Sequence, residues 1–170
     1  INYFNDRGST INIGVIDLKK AFDKVNHWAL LGVLLDKKVD IQIINILENW
    51  FSKGCTSVRW NNIMSNEISL QCDVRQGGIL SPLLFSLFVD SVLDKLTKAD
   101  LGCCINFSCY NSFMYADDLI LLSPSLTDLQ CMFDLCHKTF SEFNLPVNIN
   151  KCCAMRIGPR GNTNCKELTL

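Results

Sequence analysis

Apolar and polar positions along the chain change rhythm repeatedly, and each change predicts an element. The run Ile11-Asn12-Ile13-Gly14-Val15-Ile16 reads as a strand ending at Asp17, after which Leu18 to Asp23 leads into an amphipathic helix near 21–37. A second helix is predicted near 40–52. Helical spacing makes Trp28, Leu31, Leu34 and Leu35 the expected buried stripe of the first, and Ile43, Ile44, Leu47 and Phe51 that of the second. Thr56 to Trp60 then reads as a strand turning at Asn61-Asn62 into Ile63 onward to Leu70. A polar, glycine-paired loop, Val74 to Leu80, opens into a helix near 82–98, with Ser81 as its N-cap and Pro82 at its first position. A short strand near Cys103–Phe107 precedes a hairpin whose arms are Ser112-Phe113-Met114 and Leu119 to Leu122. Ser125 starts a last helix with Asp128 as capping-box partner and Leu126, Leu129, Met132, Phe133, Cys136 and Phe140 as its inner stripe. A final strand is expected near 152–157. Helices alternating with an antiparallel-rich sheet predict an α+β fold, helices packed on one side and acids gathered on the open face.

The chemistry sits at the hairpin tip, Tyr115-Ala116-Asp117-Asp118. Adjacent carboxylates on a tight turn repel each other, and a turn that needed only its backbone geometry would use one Asp or an Asn-Gly pair. Divalent cations resolve the repulsion. Asp17 ends the first strand, where open sheets bind ligands; alone it reads equally well as an N-cap for the next helix. Mg²⁺ prefers octahedral oxygen coordination, so carboxylates converging from separate strands suit a pair of such ions. In the loop, Gly77 and Gly78 let backbone approach a ligand closely and Gln76 can hydrogen-bond a nucleotide, although a helix-start loop without a ligand would look the same.

In this order, the acidic segment with its aromatic Phe22, the Gln76-Gly77-Gly78-x-x-Ser81-Pro82 loop and the Tyr-Ala-Asp-Asp hairpin resemble the palm of reverse transcriptases. Asn144 to Lys151 is similar to that family's next motif, with Asn144 standing where a Gly is common. The string from Asp17 to His27 most resembles the enzymes of non-LTR (LINE-like) retrotransposons, with group II intron reverse transcriptases the nearest alternative. The resemblance runs from about Ser9 to Met155 and implies a palm-like sheet packed against helices, in an RNA-directed DNA polymerase that adds deoxynucleotides to a primer 3′-hydroxyl. It implies two Mg²⁺ ions, replaceable by Mn²⁺, at Asp17, Asp117 and Asp118, the first two being direct ligands. It makes Phe22 the steric gate against a 2′-hydroxyl, Gln76 and Gly77 contacts to incoming nucleotide and template, Tyr115 a neighbour of the primer end, and Lys151 the proton donor to pyrophosphate. The implied partners are an RNA template, a DNA primer and deoxynucleoside triphosphates. Phe22 as plain core, Lys151 as a solvated strand end and Tyr115 as an ordinary strand aromatic are the competing readings.

Composition modifies this picture in three ways. Sixteen Lys and Arg against seventeen Asp and Glu give a net charge of −1, weak for a nucleic-acid binder, and 48% of residues are hydrophobic. Both agree with a single palm unit spanning 1–170, its tail from 158 mobile in composition, whose fingers and thumb segments are largely missing. A non-catalytic remnant or interaction module is the second functional hypothesis. The ten cysteines lack an export signal and a Cys-x₂₋₄-Cys set at zinc spacing, so free thiols and no zinc are expected. Apolar runs are broken by charge well short of a membrane span, and an intracellular protein is expected.

Overall fold

The computed structural model describes residues 1–75, 77–106, 108–165 and 167–169. In chain order the elements are α1 (Asn2–Asn5), β1 (Ile11–Asp17), a 3₁₀ turn (Phe22–Lys24), α2 (His27–Asp36), α3 (Ile41–Ser52) and four short strands, β2 (Cys55–Thr56), β3 (Arg59–Trp60), β4 (Ile63–Met64) and β5 (Ile68–Ser69). There follow α4 (Ser81–Lys98), β6 (Cys104–Ile105), β7 (Ser108–Cys109), β8 (Ser112–Tyr115), β9 (Asp118–Ser123), α5 (Leu126–Glu142) and β10 (Cys153–Ile157). The chain divides into two compact units, Ile1–Ala21 with Val89–Leu170, and Phe22–Phe88. The α+β class expected from the sequence is what forms.

The first unit is built on an antiparallel sheet of order β10-β1-β9-β8. Strand β1 is an inner strand buried over most of its length, which is why it reads as a nearly continuous hydrophobic run rather than a strict alternation. One face is closed by α5: Ile16, Leu119 and Leu121 are fully buried with Leu129, Met132 and Phe133 of the helix. Gly14 permits this approach, since a Cβ there would collide with the Phe133 ring. The α5 cap is as the sequence predicts, Ser125 Oγ accepting from the Asp128 amide at 3.2 Å. At its other end Asn144 adopts φ +55 and the Leu145 amide donates to Phe140 O at 2.8 Å, the left-handed helix end that Asn tolerates. The tail returns to the same helix, where the Thr169 amide donates to Gln130 Oε1 at 2.9 Å.

In the second unit the first predicted helix begins late. The 3₁₀ turn Phe22–Lys24 stands in place of its first turn, and the regular helix starts at His27, capped by Asn26, whose Oδ1 accepts from the Ala29 amide at 2.9 Å. The buried stripe of α2 is His27, Leu30, Leu31 and Leu34, leaving Trp28 70% exposed and Leu35 outward, and in α3 Ile43 is exposed too, against the sequence expectation. The predicted long hairpin is instead two ladders, β2–β5 and β3–β4. Between them the Ser65 hydroxyl accepts the Val58 amide at 2.9 Å in place of a backbone carbonyl, while the Ser65 amide donates to Val58 O at 2.9 Å. Asn61 and Asn62, at φ +46 and +64, make the expected turn.

Candidate active site

Three antiparallel strands bring the predicted acids to one end of the first unit's sheet. Asp17, the last residue of β1, is the register partner of Asp118, the first of β9, and Asp118 is in turn the partner of Tyr115 at the end of β8. Partnered residues project to the same side, so Tyr115, Asp118 and Asp17 form a row across the sheet. Asp117 occupies the two-residue turn beside them, half-buried, while Asp118 is exposed. The turn is shaped by Ala116 at φ +53, a left-handed conformation that costs an L-residue roughly 1–2 kcal/mol. Strain held at a loop tip of this kind persists only where the surrounding structure fixes it.

Asp17 is the most firmly held of the acids. Its Oδ2 accepts from Asn148 Nδ2 at 2.8 Å, its Oδ1 faces Lys151 Nζ at 3.4 Å, and its backbone carbonyl accepts from the Asn148 amide at 2.8 Å. The loop supplying these groups is itself fastened, the Lys19 amide donating to Pro146 O at 2.8 Å and Leu18 bridging Val147. The Asp17 side chain is 16% exposed and that of Lys151 68%, so the ammonium can swing away while the amide stays. Burial pushes the neighbouring Cys152 thiol up in pKa, a hydrogen bond from the Asp17 backbone opposing it.

Three carboxylates against one ammonium make an all-oxygen, electronegative donor set of the kind a hard divalent cation takes. The acids are not packed into mutual contact, however. Among the described residues the one group of three ligand atoms all within 4.8 Å of each other is Asp100, Cys104 and Cys109. The side of the sheet bearing the acids also exposes Phe113, Tyr115, Ile120 and Met155, with Tyr115 86% exposed.

The remaining predicted site residues lie in the second unit. Phe22 is half-buried in the 3₁₀ turn, its ring stacked on Phe85 at 4.6 Å. Gln76 falls outside the described residues. Gly77 adopts φ +82, and the space a Cβ would need at Gly78 is filled by the Ser81 hydroxyl at 2.6 Å. The pair therefore serves the loop's own closure: Ser81 donates to Arg75 O and is the first helical residue, in place of the N-cap expected. A cavity of about 250 Å³ in this unit, with His27, Phe51, Lys53, Asp73 and Arg75 in its wall, contains none of the predicted residues. His27 stacks on Phe51 at 4.3 Å, its Nε2 2.8 Å from Asp73 O.

Sequence reasoning gave Asn148 no role, though it is the residue that orients Asp17. Its signal was its place three residues before Lys151 in the motif. The free-thiol expectation fails at one place, since Cys104 and Cys109 form a disulfide across the β6–β7 hairpin, while the eight other cysteines are free.

A family model described as reverse transcriptase (RNA-dependent DNA polymerase) matches residues 2–168. The retrovirus-related Pol polyprotein from the type-1 retrotransposable element R2 of Nasonia vitripennis is 30% identical over 149 residues, 88% of this chain and 14% of that protein. The corresponding polyprotein from the type-2 element R2DM of Drosophila melanogaster is 28% identical over 156 residues, 92% of this chain and 15% of that protein. The chain thus spans about a seventh of the length of these curated relatives. In fold it is similar to apo telomerase from Candida tropicalis, with a TM-score of 0.70 at 14% identity over 95% of this chain and 30% of the other. It is also similar to telomerase from Candida albicans solved with a fragment of telomeric RNA, with a TM-score of 0.66 at 14% identity over 92% and 27%.

Proposed function

We propose that this chain, which belongs to the reverse transcriptase (RNA-dependent DNA polymerase) family in its non-LTR retrotransposon branch, supplies the metal-binding core of a polymerase that copies RNA into DNA. The observation that carries the reading is the Asp17–Asp118 register pair with Asp117 at the adjoining turn, because it delivers carboxylates from separate strands to one end of one sheet. Divalent ions held there, Mg²⁺ with Mn²⁺ as a substitute, would stabilise the attacking and leaving oxygens of phosphoryl transfer.

The chain's own residues do the rest by position. Asn148 fixes one Asp17 oxygen, so the other is the one free to take a cation once Lys151 releases it. Lys151, 3.4 Å from Asp17 and largely exposed, would be the group that gives its proton to departing pyrophosphate. The exposed ring of Tyr115, in line with Asp118, offers a surface for the primer end, and the apolar face around it suits a stacked nucleic acid better than solvent. Phe22, Gln76 and Gly77 remain the candidate contacts to the incoming nucleotide, Phe22 excluding a ribose 2′-hydroxyl by bulk. Base pairing with the RNA template supplies sequence specificity, so no base-reading side chains are required.

Primer extension on an RNA template by the full-length protein tests this. Asp17→Asn and Asp117→Asn should each lower the rate by about a thousandfold, the several kcal/mol that metal stabilisation of a transition state is worth, with the fold intact by circular dichroism. Extension that survives both substitutions would overturn the assignment. A wild-type protein that grips a primer–template duplex yet never extends it would instead identify a non-catalytic binding module.

A further inference from the structure

The hairpin β6–β7 carries chemistry that polymerisation does not use. Cys104 and Cys109 are register partners one step from the turn, with Ile105 opposite Ser108 between them and the turn, and their Cα atoms lie 4.2 Å apart. That separation belongs to a non-hydrogen-bonded pair, where side chains stand closest, so the strands hold the two sulfurs side by side whether or not they are bonded. Asp100, at φ +51 after α4, turns its carboxylate onto them: Oδ1 is 3.3 Å from Cys109 Sγ and 3.7 Å from Cys104 Sγ. A disulfide has no proton to offer a carboxylate. The two sulfurs can donate to this oxygen only as thiols, or share a cation with it as thiolates, so their contact with it acquires a use when the pair is reduced.

The distances suit thiols donating to the carboxylate, and they also accommodate the second case. Tetrahedral zinc with Zn–S near 2.3 Å and Zn–O near 2.1 Å separates a sulfur from an oxygen ligand by about 3.6 Å. The observed 3.3 and 3.7 Å lie on either side of that value, so two edges of the tetrahedron face are already at size. Asp100 and Cys104 are exposed, leaving room for water as fourth ligand. The neck of the hairpin is rigid: the Cys103 amide donates to Leu122 O at 3.2 Å, the Leu122 amide to Asn111 O at 2.7 Å, and Asn111 Nδ2 to Leu96 O and Leu101 O at 3.1 and 2.8 Å.

We propose that Asp100, Cys104 and Cys109 form a redox-gated zinc site, open as the dithiol and closed as the disulfide. Opening requires a dithiol or phosphine reductant. A dithiol gives two electrons and two protons to the S–S bond and is itself left as a disulfide. Zn²⁺ then binds both sulfurs and the carboxylate, releasing two thiol protons to water. A disulfide oxidant such as oxidised glutathione reverses the exchange, taking up two electrons and two protons to become two thiols as the S–S bond re-forms and Zn²⁺ departs.

Titration of the phosphine-reduced protein with Zn²⁺ alone, against a competing chromophoric chelator, tests the site without reference to polymerase activity. Cys104→Ser with Cys109→Ser should bind one zinc ion fewer than wild type; the exposed Cys55, Cys131, Cys153 and Cys165 are common to both proteins, so their binding cancels. Asp100→Asn, which leaves the sulfurs untouched, should weaken that ion at least tenfold. Oxidation by glutathione disulfide should remove it, and Co²⁺ in its place should show a thiolate charge-transfer band absent from the double variant. Equal zinc stoichiometry in wild type and double variant, or unaltered affinity in Asp100→Asn, would overturn the proposal.

Discussion

Two hairpins of the same unit use one backbone device for opposite chemistries. The β8–β9 hairpin turns between the partners Tyr115 and Asp118, and the β6–β7 hairpin between Ile105 and Ser108, each with a left-handed residue first in the turn, Ala116 at φ +53 and Asn106 at φ +50. Hydrogen bonds of Leu122 and Asn111 join their roots, so they share a support. The first puts oxygen donors at and beside its tip; the second puts sulfur donors at its neck, with one carboxylate brought from outside. A tip offers open coordination positions to substrate oxygens, while a neck fixes its side chains by register. The contrast teaches that a two-residue turn sets only spacing, and that ligand hardness and distance from the turn decide what the spacing serves.

The strongest way to break the contrast is to put sulfur where oxygen belongs. Asp117→Cys should cost about a thousandfold in Mg²⁺-dependent primer extension, because a thiolate is a poor ligand for a hard ion. Part of the loss should return when Mn²⁺ or Cd²⁺ replaces Mg²⁺, and zinc binding at Cys104 and Cys109 should not change. Extension rates measured in each metal check this; a loss identical in all of them would mean that Asp117 does not touch the ions.

Thiol reactivity separates the second hairpin from its surroundings. Burial pushes the Cys103 thiol up to about 11 and Cys136 up to about 12. Raised values favour the protonated form, so at pH 8 only about one molecule in a thousand carries a Cys103 thiolate, and alkylation there should be about two orders of magnitude slower than at an ordinary thiol. Cys104 and Cys109 should stay unmodified before reduction, react readily after it, and be protected again by Zn²⁺. Peptide mapping by mass spectrometry reads all four residues in one experiment. Rapid labelling of Cys103 would show that the hairpin's root opens.

Support for the oxygen site is the next target. Asn148→Ala removes the 2.8 Å hydrogen bond to Asp17 and, among the described residues, leaves Lys151 as the side chain still on that carboxylate. Loss of an outer partner of a ligating carboxylate should lower metal affinity or extension about 10- to 100-fold. A positioning role predicts that raised Mg²⁺ recovers most of the rate, whereas a purely structural role predicts a fall in thermal stability that Mg²⁺ leaves unrepaired.

What the sequence made legible was local. The 11–16 strand, the 112–122 hairpin and the Ser125 cap are written in consecutive residues, and all three form. The buried stripe of α2 was misplaced because His27–Asp36 is apolar nearly all round, so its spacing does not select the side that packs. Ser81 and Gly78 read as cap and ligand approach, but the hydroxyl fills the space beside Gly78 and closes its own loop. Asn148 was unreadable as a partner of Asp17 because 131 residues separate them, and the sulfur pair depended on a turn and register no spacing rule for zinc describes.

The smallest expected effect concerns the turns themselves. Ala116 has no side-chain group to stabilise φ +53, whereas Asn106 is of a type that tolerates this region. Ala116→Gly should remove roughly 1–2 kcal/mol of conformational strain and give back about 0.4–1 kcal/mol through the more flexible unfolded chain. A net gain of roughly 0 to 1.6 kcal/mol follows, at most a rise of several degrees in melting temperature by calorimetry. Asn106→Gly should change stability by less. If the strain at Ala116 serves to aim Asp117, the stabilised variant will also extend primers more slowly, by less than about tenfold, since this loss should be smaller than that from a missing ligand. A variant that gains stability with unaltered extension would show that Ala116 merely closes the turn, and one that loses stability would show that its methyl group packs against something the relief of strain does not offset.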